Sequence, residues 1–293
     1  MASRQQIKRR IGSIKSTRQI TKAMQLVAAS KLRRAQEAVA GPRAYAEMAR
    51  GILVRLRQLA SDDTELHLFS ERPLKTRLLM VVTSDRGLAG AYNANVIRRM
   101  INETKEDRNR GITTKVVAIG RQAAHAASRI SGLSVESVYQ ELPDKPTADT
   151  LRPILTNVVN LFANQEVDAV DIIKTKFVST VVQQVEVRRL LPAGTFDEDE
   201  ILEAPAELAT ATVEPSAEAL LKSTTLRLLE AQIYQALLDA KASEESMRML
   251  AMKNATDNAS DLIDDYTLEY NNARQAAITQ ELAEITGGAE AMK

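Results

Sequence analysis

Residues 216–286 read SAEALLKSTTLRLLEAQIYQALLDAKASEESMRMLAMKNATDNASDLIDDYTLEYNNARQAAITQELAEIT, a stretch with no glycine and no proline. Strong helix formers fill it. Pro215 and Ser216 mark its start, with Glu218 in the first turn, and Gly287 and Gly288 its stop. If helical throughout, it reaches roughly 105 Å. A compact domain is only about 30 Å across. Such a helix must pair with another long helix or be wrapped by other chains.

The apolar spacing favours pairing. Ile263, Tyr266, Tyr270, Ala273 and Ala277 step by 3 and 4, a coiled-coil seam rather than a broad globular face. Leu226, Leu229, Ile233, Ala236 and Ala240 continue the stripe towards the N-terminus. A candidate partner helix is at the other end of the chain. Ser3 to Gln6 fits a capping box, and Ile7, Ile11, Ile14, Arg18, Thr21, Gln25, Ala28, Leu32, Ala35 and Val39 keep the same period. Gly41-Pro42 should kink this helix, after which Tyr45, Met48, Ile52 and Leu56 resume the pattern.

Charge supports that pairing. The 293 residues carry a net charge of +1, but residues 1–60 hold +12, residues 61–192 hold +2 and residues 193–293 hold −13. A basic start and an acidic end are expected to lie together. Arg4, Lys8, Arg9 and Arg10 crowd a helix N-terminus, where the macrodipole disfavours cations. The acidic helix or a partner chain is expected to compensate.

The centre of the chain changes period. Leu78 to Val82 is a continuous apolar run, as in a buried parallel strand. It leads into Thr83-Ser-Asp-Arg-Gly-Leu-Ala-Gly-Ala-Tyr-Asn93. A helix over 94–110, a strand over 115–120, a helix over 121–130 and a weak strand over 135–139 follow. A helix over 147–164 and strands over 170–177 and 181–190 complete an open α/β domain between about Arg72 and Pro192. Acidic Asp197 to Pro215 reads as a linker.

Candidate chemistry is sparse. There is no cysteine, so no disulfide or thiolate site. His67 and His125 stand far apart, and no metal or cofactor site is expected. No apolar run reaches the roughly 18 residues that span a bilayer. The start MASRQQIKRR lacks a signal-peptide core, and the chain reads as soluble in a reducing compartment. The Thr83–Asn93 loop sits where an α/β domain would hold a phosphate. Gly87 and Gly90 give only G-x-x-G, however, without the motif of a nucleotide loop, and a tight turn needing Gly, with Asp85 capping a helix, is the favoured reading. The basic N-terminal helix has no aromatic residue before Tyr45 on which to stack single-stranded nucleic acid. A free-standing coiled-coil scaffold with a nucleotide-binding α/β domain, or a basic nucleic-acid binder, remain open on these residues alone.

Three segments resemble one family. Ile20-Thr-Lys-Ala-Met24-Gln-Leu-Val-Ala-Ala-Ser-Lys-Leu-Arg-Arg-Ala-Gln36, the Thr83–Asn93 loop, and Met252-Lys-Asn-Ala-Thr-Asp-Asn258 with Tyr270-Asn-Asn-Ala-Arg-Gln-Ala-Ala-Ile-Thr-Gln-Glu-Leu282 are similar to the gamma subunit of F-type ATP synthases. The loop departs from it at Ala89 and Ala91, where the family often has Cys and Gly. The resemblance implies an antiparallel, left-handed coiled coil of residues 1–60 and 210–288, one discontinuous unit, carrying a Rossmann-like α/β domain over 72–192. It implies a non-catalytic rotor subunit coupling proton flow to ATP synthesis. The implied partners are an alternating alpha–beta hexamer, the epsilon subunit and the membrane c-ring, on the cytoplasmic face of a bacterial plasma membrane. Met24 matches a position near the beta subunit's acidic lever loop. Arg248, Arg274 and Gln275 match positions that engage beta or the opposing helix, with Thr279 and Glu281 nearby. A thin alanine-rich seam and a smooth upper helix are expected where the shaft turns in its sleeve.

Overall fold

The computed structural model describes residues 4–59, 68–193 and 217–290, with the side chains of 39–59, 217–219, 222 and 288–290 outside that description. The elements are α1 (Arg4–Leu59), β1 (Thr76–Val82), α2 (Tyr92–Asn109), β2 (Thr113–Ile119), α3 (Arg121–Ala127), β3 (Ser134–Tyr139), α4 (Ala148–Ala163), β4 (Ala169–Phe177), β5 (Gln183–Leu191) and α5 (Ala217–Glu290). The chain divides into two compact units, Met1–Ala29 with Arg248–Lys293, and Ser30–Met247.

In the larger unit the sheet order is β3-β2-β1-β4-β5. The first four strands are parallel, and β5 closes one edge antiparallel to β4. Alternation on the central strands builds two cores. Leu79 and Val81 pack on one face with Val96, Met100, Ala123 and Ala127 of α2 and α3. Leu78, Met80 and Val82 pack on the other with Ile154, Val158 and Phe162 of α4 and with Leu229, Ile233, Ala236 and Ala240 of α5. Both faces are covered, which is why these strands are apolar without alternation. Pro153 lies six residues into α4, and its carbonyl accepts the Tyr139 hydroxyl.

In the smaller unit α1 and α5 run antiparallel. Thr256 Oγ1 donates to Thr21 Oγ1 at 2.8 Å, and the Arg10 guanidinium lies 5.9 Å from the centre of the Tyr266 ring. Ile7 and Ala28 on α1 and Ala259 and Ile263 on α5 are buried along that contact. The predicted seam positions Ile11, Ile14 and Arg18 are each partly buried between exposed neighbours, and Gln25 is partly buried beside half-buried Met24. The polar interruption of the α1 seam thus has its cause at Thr21.

Several expectations change. α5 continues through Gly287 and Gly288 to Glu290. Gly287 takes no left-handed φ, so no αL stop forms, and helical glycine costs only about 1 kcal/mol relative to alanine. The thin stripe predicted at 226–240 is instead buried on nearly every side, Leu228, Gln235 and Asp239 included. The basic N-terminus of α1 and the acidic C-terminal half of α5 do share one unit. Among the described residues, however, no ion pair joins Arg4, Lys8, Arg9 or Lys15 to α5; the seam itself holds the pair. α1 is one helical element through Gly41-Pro42. Ser3, His67 and the 197–215 linker lie outside the described residues.

Candidate functional site

The residues matched to coupling positions fall in two groups. The Thr21–Thr256 and Arg10–Tyr266 contacts set a register in which facing residue numbers sum to 276–277. Met24 therefore lies level with about residue 253, within two turns of Arg248. Met24 is half-buried, and Arg248 is buried with interactions inside the chain. Arg274, Gln275, Thr279 and Glu281 fall past the level of Arg4, the first described residue of α1, and face no described residue of it. All four are exposed. Thr279 Oγ1 donates back to the Gln275 carbonyl at 3.0 Å, so its hydroxyl is held against its own helix.

The outer helix surface is not smooth. Leu268, Ile278, Leu282 and Ile285 of α5, and Ile20, Leu26 and Val27 of α1, are exposed. Sequence reading placed weight on the alanine seam and missed these. They are off-seam large apolar residues within otherwise helical periodicity, a legible signal of surfaces that other protein covers.

The Thr83–Asn93 loop follows β1 at the point where the strand order reverses between β1 and β4. Its polar groups are used internally. The Ser84 amide donates to Asn93 Oδ1 at 3.0 Å. Thr83 Oγ1 and the Ser84 carbonyl accept the Ala123 and Gln122 amides at the start of α3. Asp85 accepts the Arg121 amide with Oδ1 and the Glu141 amide with Oδ2, both at 2.9 Å. Asp85 thus caps α3, not the α2 helix next to it in sequence. Gly90 has φ 54, as does a turn needing glycine, whereas Gly87 has no such need and a Cβ there would meet nothing. The close approach is at Gly120, where a Cβ would lie 2.3 Å from the Thr83 carbonyl oxygen.

Two ionic clusters in the larger unit were not legible from sequence. Arg77 on β1 binds Glu103 at 2.8 Å and Asp107 at 3.1 Å on α2, and also Asp171 on β4, which Arg189 of β5 engages as well. Burial acts to lower the Arg77 pKa, but the charges of Asp171 and Asp107 and the hydrogen bonds to Glu103 and Asp171 raise it above its ordinary value. In the second cluster Asp144, in the loop before α4, accepts from Lys31 of α1 at 3.2 Å and from Lys241 of α5 at 3.0 Å. Burial acts to raise the Asp144 carboxyl, but the two lysines, Lys241 foremost, hold it below the usual carboxylate value.

Among known proteins, a family model described as ATP synthase matches residues 3–292. ATP synthase gamma chains from Staphylococcus carnosus (38% identical over 294 residues) and Cupriavidus pinatubonensis (40% over 296) match over 100% of this chain and of their own. That of Thermosynechococcus vestitus is 42% identical over 318 residues, again with 100% of both chains covered. The fold is similar to a chain of the Euglena gracilis mitochondrial ATP synthase, with a TM-score of 0.66 at 18% identity, covering 99% of this chain and 94% of that one. It is also similar to a chain of the Tetrahymena thermophila mitochondrial ATP synthase central stalk and c-ring, with a TM-score of 0.57 at 24% identity, covering 80% and 99%. The antiparallel helix pair, the α/β sheet and relatives matched end to end agree: the chain belongs to the ATP synthase gamma-chain family.

Proposed function

We infer that this chain is the non-catalytic central shaft of a rotary ATP synthase, coupling proton flow through the membrane sector to ATP synthesis and hydrolysis on beta subunits. The observation that carries this is the helix pair. It is held along one narrow seam while its outer faces present both charge and large apolar side chains. In a member of this family, those faces are what an alternating alpha–beta hexamer encloses. The helices of 1–60 and 210–288 act together as the shaft, and the 72–192 domain meets the epsilon subunit and the c-ring. The complex sits on the cytoplasmic face of the plasma membrane, with this chain peripheral; among the described residues no helix is long and apolar enough to cross a membrane.

The mechanism is differential contact. A chain present once cannot touch three identical beta subunits alike, so each orientation favours a different beta conformation and shifts its affinity for ADP, phosphate and ATP. Met24 and Arg248 act where the two helices are paired. Arg274, Gln275, Thr279 and Glu281 act on the exposed α5 surface beyond them. A carboxylate hydrogen bond from Arg274, worth about 1.5–3 kcal/mol, biases one rotary state without locking it. The Thr83–Asn93 loop uses its own oxygens to cap α3 and accept the Glu141 amide, which supports a structural rather than a nucleotide-binding role.

The test is copy number and co-purification from native membranes. One copy per alpha–beta hexamer, released with the catalytic sector, is expected; any other ratio overturns the shaft. Titration of the isolated chain with millimolar ATP should show no saturable binding. Binding that Gly90→Val abolishes would favour a nucleotide-binding scaffold instead.

A further inference from the structure

The stretch of α5 from Asp239 to Ser246 is buried and polar, in a helix otherwise buried by Leu, Ile and Ala. Asp239, Ser243 and Ser246 stand at i, i+4 and i+7, one face of the helix. That face meets β4 and the β4–β5 turn in order. Lys174 Nζ donates to Asp239 Oδ2 at 2.8 Å, Ser243 Oγ to the Thr175 carbonyl at 3.4 Å, and Ser246 Oγ to the Thr180 carbonyl at 2.7 Å. Lys174 also pairs with Glu186 of β5 at 3.2 Å. Lys241 lies two residues past Asp239, about 200° round the helix, and reaches Asp144 on that other side. The helix is therefore gripped polar-first from two nearly opposite directions.

We propose that these two contacts form a torsional key: Asp239–Lys174 on one side and Lys241–Asp144 on the other fix the rotational phase of α5 against the α/β sheet, so that torque on the domain turns the helix without slip. A purely apolar core tolerates repacking and loses uniqueness before stability, so leucines and alanines specify the phase of a helix less sharply than a directional pair. A buried ion pair does not tolerate repacking; a rotated helix leaves Asp239 without its cation and Lys174 with Glu186 alone. The pair is poorly explained by stability. Asp239 Oδ1 and the neighbouring Thr175 Oγ1 are buried without a hydrogen-bond partner among the described residues, an arrangement that an apolar pair would better in free energy. Registry is the role such pairs serve. The torque part of this proposal rests on the shaft reading above; the phase part does not.

The test uses the full chain, which has no cysteine of its own. Spin labels at Arg227→Cys on α5 and Lys176→Cys on β4, both exposed, report the phase as a distance distribution. In Lys174→Met with Asp239→Leu, thermal unfolding should be unchanged or higher. The distance distribution should broaden, with a second population raised about ten-fold, and proton pumping per ATP in the assembled complex should fall about two-fold or more. A single distribution as narrow as wild type overturns the key. Broadening with unchanged pumping overturns its role in torque. If that variant does not fold, half-exposed Asp144→Ala carries the same distance measurement, and wild-type width there overturns the key. Failure of wild-type chain to join the hexamer defeats the shaft reading alone, because the distance measurement still decides the phase.

Discussion

One helix, α5, lives in two environments. Over Leu228 to Ser246 nearly every residue is buried, the sheet core on one side and ionic contacts on others. Over Lys253 to Ile285, Ala259 and Ile263 are buried, Tyr266, Tyr270, Ala273 and Ala277 are partly so, and most of the remainder is exposed. The same secondary structure is thus stabilised by three-dimensional enclosure in one unit and by a single seam in the other. In the enclosed stretch a lost partner is a buried defect. In the seam stretch a lost contact is shared with water, and what matters is helix continuity.

That contrast orders the expected effects. The largest belongs to the enclosed unit. Asp171→Leu leaves Arg189 and part of Arg77 without their carboxylate, at a cost of about 3–5 kcal/mol in urea unfolding; a change under 1 kcal/mol would show the Arg77 cluster to be peripheral to stability. In the seam the comparable blow is to the backbone. Ala259→Pro removes a helical hydrogen bond and clashes with the preceding turn, costing about 3 kcal/mol or more, and the complex should assemble poorly or fail to turn. Normal proton-driven synthesis in that variant would rule out a continuous helix as the working element.

Smaller effects separate surface from structure. Arg274→Ala with Gln275→Ala should stay within about 0.5 kcal/mol of wild type, since both sites are exposed on a helix. ATP hydrolysis and coupled pumping should nevertheless fall several-fold at full assembly. Wild-type rates would make them a solvated face, and failure to assemble would make them structural. The smallest effect is at Asp144. Its folded pKa lies below its unfolded value, so the contribution is full above about pH 4 and is lost as pH falls further, through the folded value. Because the carboxylate is half-exposed, the loss is at most about 1 kcal/mol. Acid unfolding of Asp144→Asn against wild type measures it; identical acid limbs would remove Asp144 from the clamp.

Most elements were legible because their signals are local. The apolar run at Leu78 to Val82, the change of period after Lys75 and the 3–4 spacing on α1 and α5 each follow from which faces a strand or helix must hide. The coupling residues were legible only through the family's motifs. Nothing in spacing alone separates exposed Arg274 from buried Arg248, because both are single arginines on long helices.

The sequence by itself determined that two long helices flank an open α/β domain and that they pair through a narrow period-3.5 seam. It also carried the motifs of the gamma-chain family. Only the tertiary structure decided that Asp85 caps α3 rather than α2, that α5 is enclosed over Leu228 to Ser246, and that Asp144 joins Lys31 to Lys241. The reason is physical. Helix and strand patterns are set by neighbours a few residues apart, whereas the buried charges Arg77 and Asp171 are placed by partners 18 to 94 residues away, and chain closure over such distances leaves no periodic trace in the residues that meet.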